Sequence, residues 1–118
     1  MADAVHPADK PAAFPYEGPE ALRLPIEQAL RRVVDPELAM SIVDVGLVYG
    51  VTLADDVLRV HLTMTSAACP VTDLIVDEAG TELDRVVPGG VAIDVQLVWE
   101  PPWTPERMSA RAKAFMGW

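Results

Sequence analysis

The sequence predicts an α+β fold, an α/β sandwich in which helices cover a three-stranded mixed sheet in the order α-β-β-α-β-α. Two segments repeat apolar residues at helical spacing, and three others alternate apolar and polar residues at the period of a strand. The acidic turn Ala54-Asp55-Asp56 separates the first two alternating segments and predicts a hairpin. The 118 residues fit one domain.

The sequence predicts that residues 1–20 form a flexible tail and that residues 21–118 form the single domain. A proline recurs at every fourth position from Pro7 to Pro19, which prevents a helix. The apolar content of this stretch is too low to anchor a strand.

The first helix is predicted over residues 22–34, where apolar side chains share one face. Pro25 fits only in a first turn, so the helix should begin near Leu24. It should end at Asp35-Pro36, because a residue before proline avoids the helical region. The stretch DPELAMSIVDVG that follows is interpreted as a structured loop.

Two strands are predicted next, over residues 45–53 and 57–64. In the second strand Val60 and Leu62 face inward, which places His61 on the solvent side. A surface histidine is therefore the favoured interpretation of that residue.

A second helix is predicted to begin at Pro70 and to end at the PGG tripeptide of residues 88–90. The third strand covers residues 91–99 and places alternate side chains from Val91 to Trp99 on one side.

The last helix is predicted from its cap, with Thr104 as the N-cap residue and Pro105 at the first helical position. Met108, Ala112 and Phe115 should face inward from it. The three tryptophans of the chain are expected to pack this helix against the domain.

Charge and composition exclude several classes of partner. Eighteen acidic and nine basic residues give a net charge of −9, which repels nucleic acid and anionic lipid. No apolar run approaches the roughly 20 residues of a membrane span, and the N-terminus lacks a secretory signal pattern. One cysteine cannot form an internal disulfide, which suits a reducing compartment. The sequence thus predicts a cytoplasmic protein with no nucleic acid and no membrane as partners.

Cys69, the only cysteine, falls at the predicted N-cap of the second helix, directly before Pro70. The dipole and the free N–H groups of a helix N-terminus favour a thiolate over a thiol. A buried cysteine that packs as a small hydrophobe is the alternative. Because a polar N-cap position is a poor place to bury sulfur, a reactive or metal-ligating thiol is favoured.

Four further residues are weaker candidates for a site around this thiol. Asp35 and Glu37 could form a pair of carboxylates, although DPE is also a common helix stop and turn. Thr65 and Ser66 either bond backbone groups of their loop or assist a thiolate. No P-loop, dinucleotide fingerprint, zinc quartet or serine-triad pattern is present.

Four segments occur in a fixed order along the chain: DPEL with SIVDVGLVY, LTMTSAACPV, VQLVWEPPWTPERMS and the final MGW. Together they resemble the small iron–sulfur cluster assembly proteins. That family includes SufT-type maturation factors, the phenylacetate-pathway protein PaaD and the eukaryotic cytosolic assembly-targeting factor. The resemblance covers about residues 22–118 and is to the SufT-like branch, because PaaD-type members carry an additional cysteine-rich segment. It implies the fold predicted above and a site whose positions match Asp35, Glu37, Thr65, Ser66, Cys69 and the PPWT element at 101–104.

The resemblance implies an accessory factor that matures or delivers clusters to client proteins through one reactive cysteine, and it favours a non-enzymatic assembly or transfer factor over an enzyme. Because four protein ligands typically hold a cluster, one thiol would contact a cluster or iron transiently. Alternatively, a homodimer would supply two thiolates, and Asp35 or Glu37 could complete a metal site. The implied partners are iron–sulfur carrier and client proteins.

Two other function classes stay open. One is a thiol-dependent enzyme in which Cys69 is the nucleophile and Asp35, Glu37 or His61 is the base. The other is a protein–protein adaptor whose WEPPW segment docks a partner without metal chemistry.

Overall fold

The computed structural model describes residues 14–36, 38–65 and 72–117. Six strands are present there: β1 (Tyr16–Glu17), β2 (Val34–Asp35), β3 (Met40–Ser41), β4 (Val48–Ala54), β5 (Val57–Leu62) and β6 (Ala92–Leu97). The α-helices are α1 (Glu20–Arg31), α2 (Ile42–Val45), α3 (Thr72–Asp84) and α4 (Ala110–Met116).

The main sheet has four strands in the order β1-β4-β5-β6. β4 and β5 are antiparallel, whereas β1 is parallel to β4 and β6 is parallel to β5. A separate antiparallel hairpin is formed by β2 and β3. The mixed α+β class is therefore confirmed, with one more strand in the sheet than the sequence predicts.

The core forms where the apolar faces of α1 and α3 meet the sheet. α1 contributes Ile26 and Leu30, α3 contributes Ile75 and Leu83, and all four side chains are fully buried. Alternate residues of β5 complete the layer, since Leu58, Val60 and Leu62 are fully buried while Arg59 is exposed and His61 is half-buried.

The predicted tail needs correction over residues 14–20. Phe14 and Tyr16 are only 6% and 9% exposed, and the short strand β1 pairs with β4. The Tyr16 hydroxyl donates a 2.8 Å hydrogen bond to the carbonyl of Pro19, just before α1. These two aromatic rings supply the buried apolar surface that the surrounding prolines lack. Residues 14–20 therefore pack against the domain and are not part of a flexible tail. Residues 1–13 lie outside the described part.

The first helix begins and ends earlier than predicted. It starts at Glu20, one turn before Leu24, so Pro25 lies in the second turn instead of the first. A Glu20–Arg23 ion pair with hydrogen bonds of 2.8–3.0 Å stabilises that first turn. At its other end the helix stops at Arg31 because the next residues turn into the β2–β3 hairpin.

The segment interpreted as a loop is more regular than expected. It contains the β2–β3 hairpin and the short helix α2, whose N-cap Ser41 accepts a 3.1 Å hydrogen bond from the Val43 amide. α2 ends at Gly46, with φ +84°. β4 consequently begins at Val48, three residues later than predicted.

The hairpin between β4 and β5 is confirmed. Ala54 pairs with Val57, which leaves a two-residue turn at Asp55 and Asp56. Both turn residues have positive φ, +54° and +61°, as in the type I′ turn that suits the right-handed twist of a two-residue hairpin.

The C-terminal cap is placed differently from the prediction. Thr104 and Pro105 begin only a short 3₁₀ turn (Pro105–Arg107). The cap of α4 is Ser109, whose hydroxyl accepts a 3.1 Å hydrogen bond from the Ala112 amide. Met108 and Ala112 are buried as predicted. Phe115 is 69% exposed, so the inward orientation predicted for it is wrong.

The tryptophans do not share one role. The Trp103 indole N–H donates a 2.8 Å hydrogen bond to the carbonyl of Val45, and its ring packs against the core. Trp99 is 43% exposed, and Leu97 is 37% exposed. The inward side predicted for residues 91–99 therefore applies to Val91, Ile93 and Val95 only, because the last two positions extend past the buried part of the sheet. Trp118 lies outside the described residues.

Candidate functional site

The predicted site residues divide between the described part of the chain and the rest. Asp35 lies in β2 and Thr65 lies three residues after the end of β5. Glu37, Ser66 and Cys69 lie outside the described residues, as does the predicted N-cap geometry at Cys69 and Pro70. Their roles stay predictions.

Three strand ends meet at one edge of the main sheet. Val48, the first residue of β4, pairs with Leu62, the last residue of β5. Leu62 in turn pairs with Leu97, the last residue of β6. We call this edge, defined by Val48, Leu62 and Leu97, the site end of the sheet, because the chain leaves it toward Thr65.

A relay of backbone hydrogen bonds connects the β2–β3 hairpin to the site end. The Thr63 amide donates to the Leu47 carbonyl at 2.8 Å, the Leu47 amide to the Ile42 carbonyl at 2.9 Å, and the Ile42 amide to the Val33 carbonyl at 2.9 Å. Val33 directly precedes β2. The fold thus brings the hairpin and the chain that follows β5 to the same side of the molecule.

Asp35 is almost completely buried, with 1% of its surface exposed. Its own backbone carbonyl accepts hydrogen bonds from the amides of Leu38 at 3.2 Å and Ala39 at 2.7 Å. Ala39 closes this tight turn with a positive φ of +58°. A carboxylate at such a depth is held in place by its surroundings, unlike the mobile carboxylate of a surface turn.

Thr63 carries a polar atom for which the sequence predicts no role. The residue is 1% exposed, and its hydroxyl has no hydrogen-bond partner among the described residues. An unpaired buried hydroxyl is uncommon and costs stability. The only sequence signal is a second hydroxyl residue two positions before Thr65, which strand alternation accounts for equally well.

Helix α3 begins near the same edge. Thr72 is its first described residue, and Asp73 lies in its first turn. α3 is the element that follows β5 among the described residues, and the positive end of its dipole lies at its N-terminus. Asp73 adds a negative charge beside that end.

Exposed apolar side chains surround this part of the molecule. Leu74, in the first turn of α3, is 49% exposed, and Leu97 and Trp99 at the end of β6 are 37% and 43% exposed. Trp99 directly follows Val98, whose amide donates to the Leu62 carbonyl at 2.8 Å. Leu97 and Trp99 thus place exposed apolar surface next to the site end of the sheet.

Comparison with known proteins places this arrangement in a family. Residues 25–95 match the family model described as iron-sulfur cluster assembly protein. The chain belongs to the iron–sulfur cluster assembly protein family. The matched range includes the predicted site positions from Asp35 to Cys69 and ends before the PPWT element at 101–104.

Two relatives in the family carry informative names. The chain is 44% identical over 99 residues to "Fe-S protein maturation auxiliary factor YitW" of Bacillus subtilis, covering 83% of this chain and 96% of that protein. It is 43% identical over 86 residues to "Fe-S protein maturation auxiliary factor SufT" of Staphylococcus aureus, covering 72% and 97% respectively. The predicted SufT-type resemblance is therefore confirmed.

A solved structure supports the fold of this family member. The crystal structure of a domain of unknown function, DUF59, from Bacillus anthracis matches with a TM-score of 0.76 and 42% identity. The match covers 83% of this chain and 93% of that chain.

Among the described residues, no three histidine, cysteine, aspartate or glutamate side chains converge as a metal site. None of the described helices has the length and apolar content that crossing a membrane requires.

Proposed function

We propose that the protein is an accessory factor in iron–sulfur cluster assembly that transfers a cluster, or its iron, to client proteins through Cys69. The observation that supports the proposal is where the only cysteine falls along the chain. Cys69 lies in sequence between β5, which ends at the site end of the sheet, and α3. The buried Asp35 is connected to that end by the backbone relay.

The transfer is a ligand exchange. The Cys69 thiolate replaces one ligand of a cluster iron, and a client cysteine thiolate then replaces Cys69. No electron is transferred, and the proton lost when a thiol binds iron is regained when that thiol is released. Since four ligands usually hold a cluster, one thiol per chain favours brief contact over storage, and a homodimer would contribute two.

The surrounding polar residues have distinct roles in this proposal. The hydroxyls of Thr65 and Ser66 donate hydrogen bonds to the thiolate before it binds iron. Asp35 and Glu37 accept the thiol proton or serve as oxygen ligands of iron. Carboxylates beside a thiolate repel it, whereas iron relieves that repulsion, so a site of this composition suits a cationic cargo more than an electrophilic substrate.

An adaptor function is the second candidate, because Trp99, the first residue of the WEPPW segment, and the nearby Leu97 are exposed. An adaptor would need those side chains and not the thiol. Carrier and client proteins are the proposed partners in both cases, and the cytoplasm is the proposed compartment because its reducing conditions keep a thiol free.

The experiment is complementation of a deletion strain with the wild type, Cys69→Ala, Cys69→Ser or Trp99→Ala. Activities of several cluster-dependent enzymes are measured against cluster-free control enzymes. The transfer proposal expects both Cys69 variants to lose the cluster-dependent activities while the controls stay unchanged.

Full activity of both Cys69 variants would overturn cluster transfer through the thiol. Loss only with Trp99→Ala would establish the adaptor function instead. Urea unfolding of each purified variant shows whether the fold is intact.

A further inference from the structure

A cleft of about 380 Å³ lies between the β2–β3 hairpin, the end of α1, α2 and α4. Basic, acidic and apolar side chains line it, among them Arg31, Met40, Ser41, Asp44, Arg111 and Phe115. Its volume is at the lower end of the range for small-ligand pockets, enough for a few side chains of another chain.

The two arginines of the cleft differ in their partners. Arg31 is fixed by ion pairs to Glu27 at 3.1 Å and Asp44 at 3.2 Å. Asp44 is itself held by the Ser109 hydroxyl at 3.1 Å, so this wall is preorganised. Arg111 is exposed and forms no ion pair or hydrogen bond within the part of the chain that the structure describes. The cleft therefore offers one uncompensated guanidinium.

The charge around Arg111 is opposite to that of the chain as a whole. Residues 107–117 contain Arg107, Arg111 and Lys113 and no acidic residue, whereas the whole chain carries −9. One third of the nine basic residues thus lie in this segment of the sequence. A basic segment on an acidic protein attracts an acidic partner segment, and Arg111 is the residue of this segment that lines the cleft.

An exposed aromatic side chain lies next to this charge. Phe115 is four residues after Arg111, on the same face of α4, and is 69% exposed. Met40, on the hairpin, lines the cleft and is half-buried. A ligand that covers both side chains removes apolar surface from water, which favours binding.

We propose that this cleft binds an extended acidic segment of a partner protein in which an aromatic or aliphatic side chain is flanked by carboxylates. Arg111 pairs with a carboxylate, which its planar guanidinium can do with two hydrogen bonds. Phe115 and Met40 contact the apolar side chain. Each feature of the ligand thus has a counterpart in the cleft.

The position of the cleft connects this docking to the transfer site. Met40 pairs directly with Asp35 across the β2–β3 hairpin, so a segment bound against Met40 lies beside Asp35. That the partner is a client or carrier of iron–sulfur clusters rests on the proposed function. The binding of an acidic segment does not.

The test measures fluorescence anisotropy of a fluorescein-labelled peptide, Gly-Asp-Glu-Phe-Glu-Asp-Gly, titrated with the full chain. Arg111→Glu should raise the dissociation constant about tenfold, the scale of losing one partly exposed ion pair and adding repulsion. Phe115→Ala should raise it about threefold to tenfold. Arg85 directly follows α3, is 67% exposed and lies 3.8 Å from the Glu82 carboxylate. The control Arg85→Glu makes the same charge change there and should leave peptide binding unchanged within about twofold.

Three results would overturn the docking proposal. They are no binding by the wild type, equal binding of the amide peptide Gly-Asn-Gln-Phe-Gln-Asn-Gly, and equal weakening by Arg85→Glu and Arg111→Glu. Both α4 side chains are exposed, so the variants should fold, and urea unfolding verifies this.

A Cys69→Ala variant separates this proposal from the proposed function. It should bind the peptide as the wild type does, even where it fails to support cluster-dependent enzymes. Failure of peptide binding would overturn the docking cleft and leave the complementation result for the thiol intact.

Discussion

Replacing Thr63 with valine should stabilise the fold by about 1–3 kcal/mol, the usual cost of an unpaired buried hydroxyl. Thr63 is 1% exposed, and its hydroxyl has no partner among the described residues. Valine has the same branched shape, so the backbone and rotamer contributions nearly cancel. The 2.8 Å hydrogen bond from the amide of residue 63 to the Leu47 carbonyl is kept in the variant.

Urea unfolding followed by tryptophan fluorescence measures the effect. For an m-value of about 2 kcal/mol/M, the midpoint should rise by about 0.5–1.5 M with m unchanged. Thr63→Ser is the control, because it keeps the hydroxyl and deletes the methyl group, and it should lower stability by about 1 kcal/mol. A lower midpoint for Thr63→Val than for the wild type would show that the hydroxyl is bonded and refute the reasoning.

The Thr63→Val variant also has a functional readout. If it unfolds at higher urea but supports less cluster-dependent enzyme activity, the unpaired hydroxyl is retained for function at the expense of stability. Unchanged activity would instead assign Thr63 to the framework of the strand end.

Three further predictions concern the framework. Gly46→Ala should destabilise the fold by about 2–5 kcal/mol in urea unfolding, because φ is +84° and a Cβ would overlap the Arg107 carbonyl; a loss below about 1 kcal/mol would contradict this. Trp103→Phe loses the 2.8 Å hydrogen bond to the last carbonyl of α2 and should cost about 1 kcal/mol by the same assay, whereas an unchanged midpoint would mean that the indole N–H is dispensable. The hydrogen bond from Arg32 lowers the pKa of Glu82, so this pair stabilises the fold above the ordinary glutamate pKa and the contribution is lost as pH falls through the lowered value. Wild type and Arg32→Ala should accordingly converge in stability on acidification, and a constant difference from neutral to acidic pH would disprove the linkage.

Periodicity in the sequence predicts the regular part of this fold. The alternation around Asp55 and Asp56 predicts the β4–β5 hairpin with its short turn, and it is found there. Helical spacing after Pro70 predicts α3, and Ile75, Ala79 and Leu83 form its buried face. These signals are local, because each depends on side chains that repeat along one element.

Nonlocal packing accounts for most of the errors. Tyr16 forms a strand only because the edge of β4 is available to it, which the proline-rich sequence around it does not indicate. Pro25 lies in the second turn of α1 because the helix begins at Glu20, four residues before the start near Leu24 that the sequence predicts. Phe115 has the correct helical spacing to be buried but lies on a wall of the cleft instead.

The sequence predicts which residue types form the candidate site better than it predicts how those residues are arranged in space. The sequence identifies Asp35 as a candidate, but its burial depends on the β2–β3 hairpin, where the sequence predicts a loop. Thr63 was indistinguishable from an ordinary strand residue, since only the three-dimensional structure shows a hydroxyl without a partner among the described residues.

The proposed docking cleft and the proposed transfer site share the β2–β3 hairpin. Because of this arrangement, weak binding of a client segment in the cleft is sufficient for transfer. A segment held against Met40 keeps its protein close to Asp35, directly opposite in the hairpin. Tethering at this distance converts a second encounter into an intramolecular one, with an effective concentration of the order of millimolar. Ligand exchange also requires that the client leave once the cluster has moved, which a partly exposed arginine allows and a fully buried ion pair would oppose. A shallow cleft with one free guanidinium therefore suits transfer better than a deep and permanent interface would.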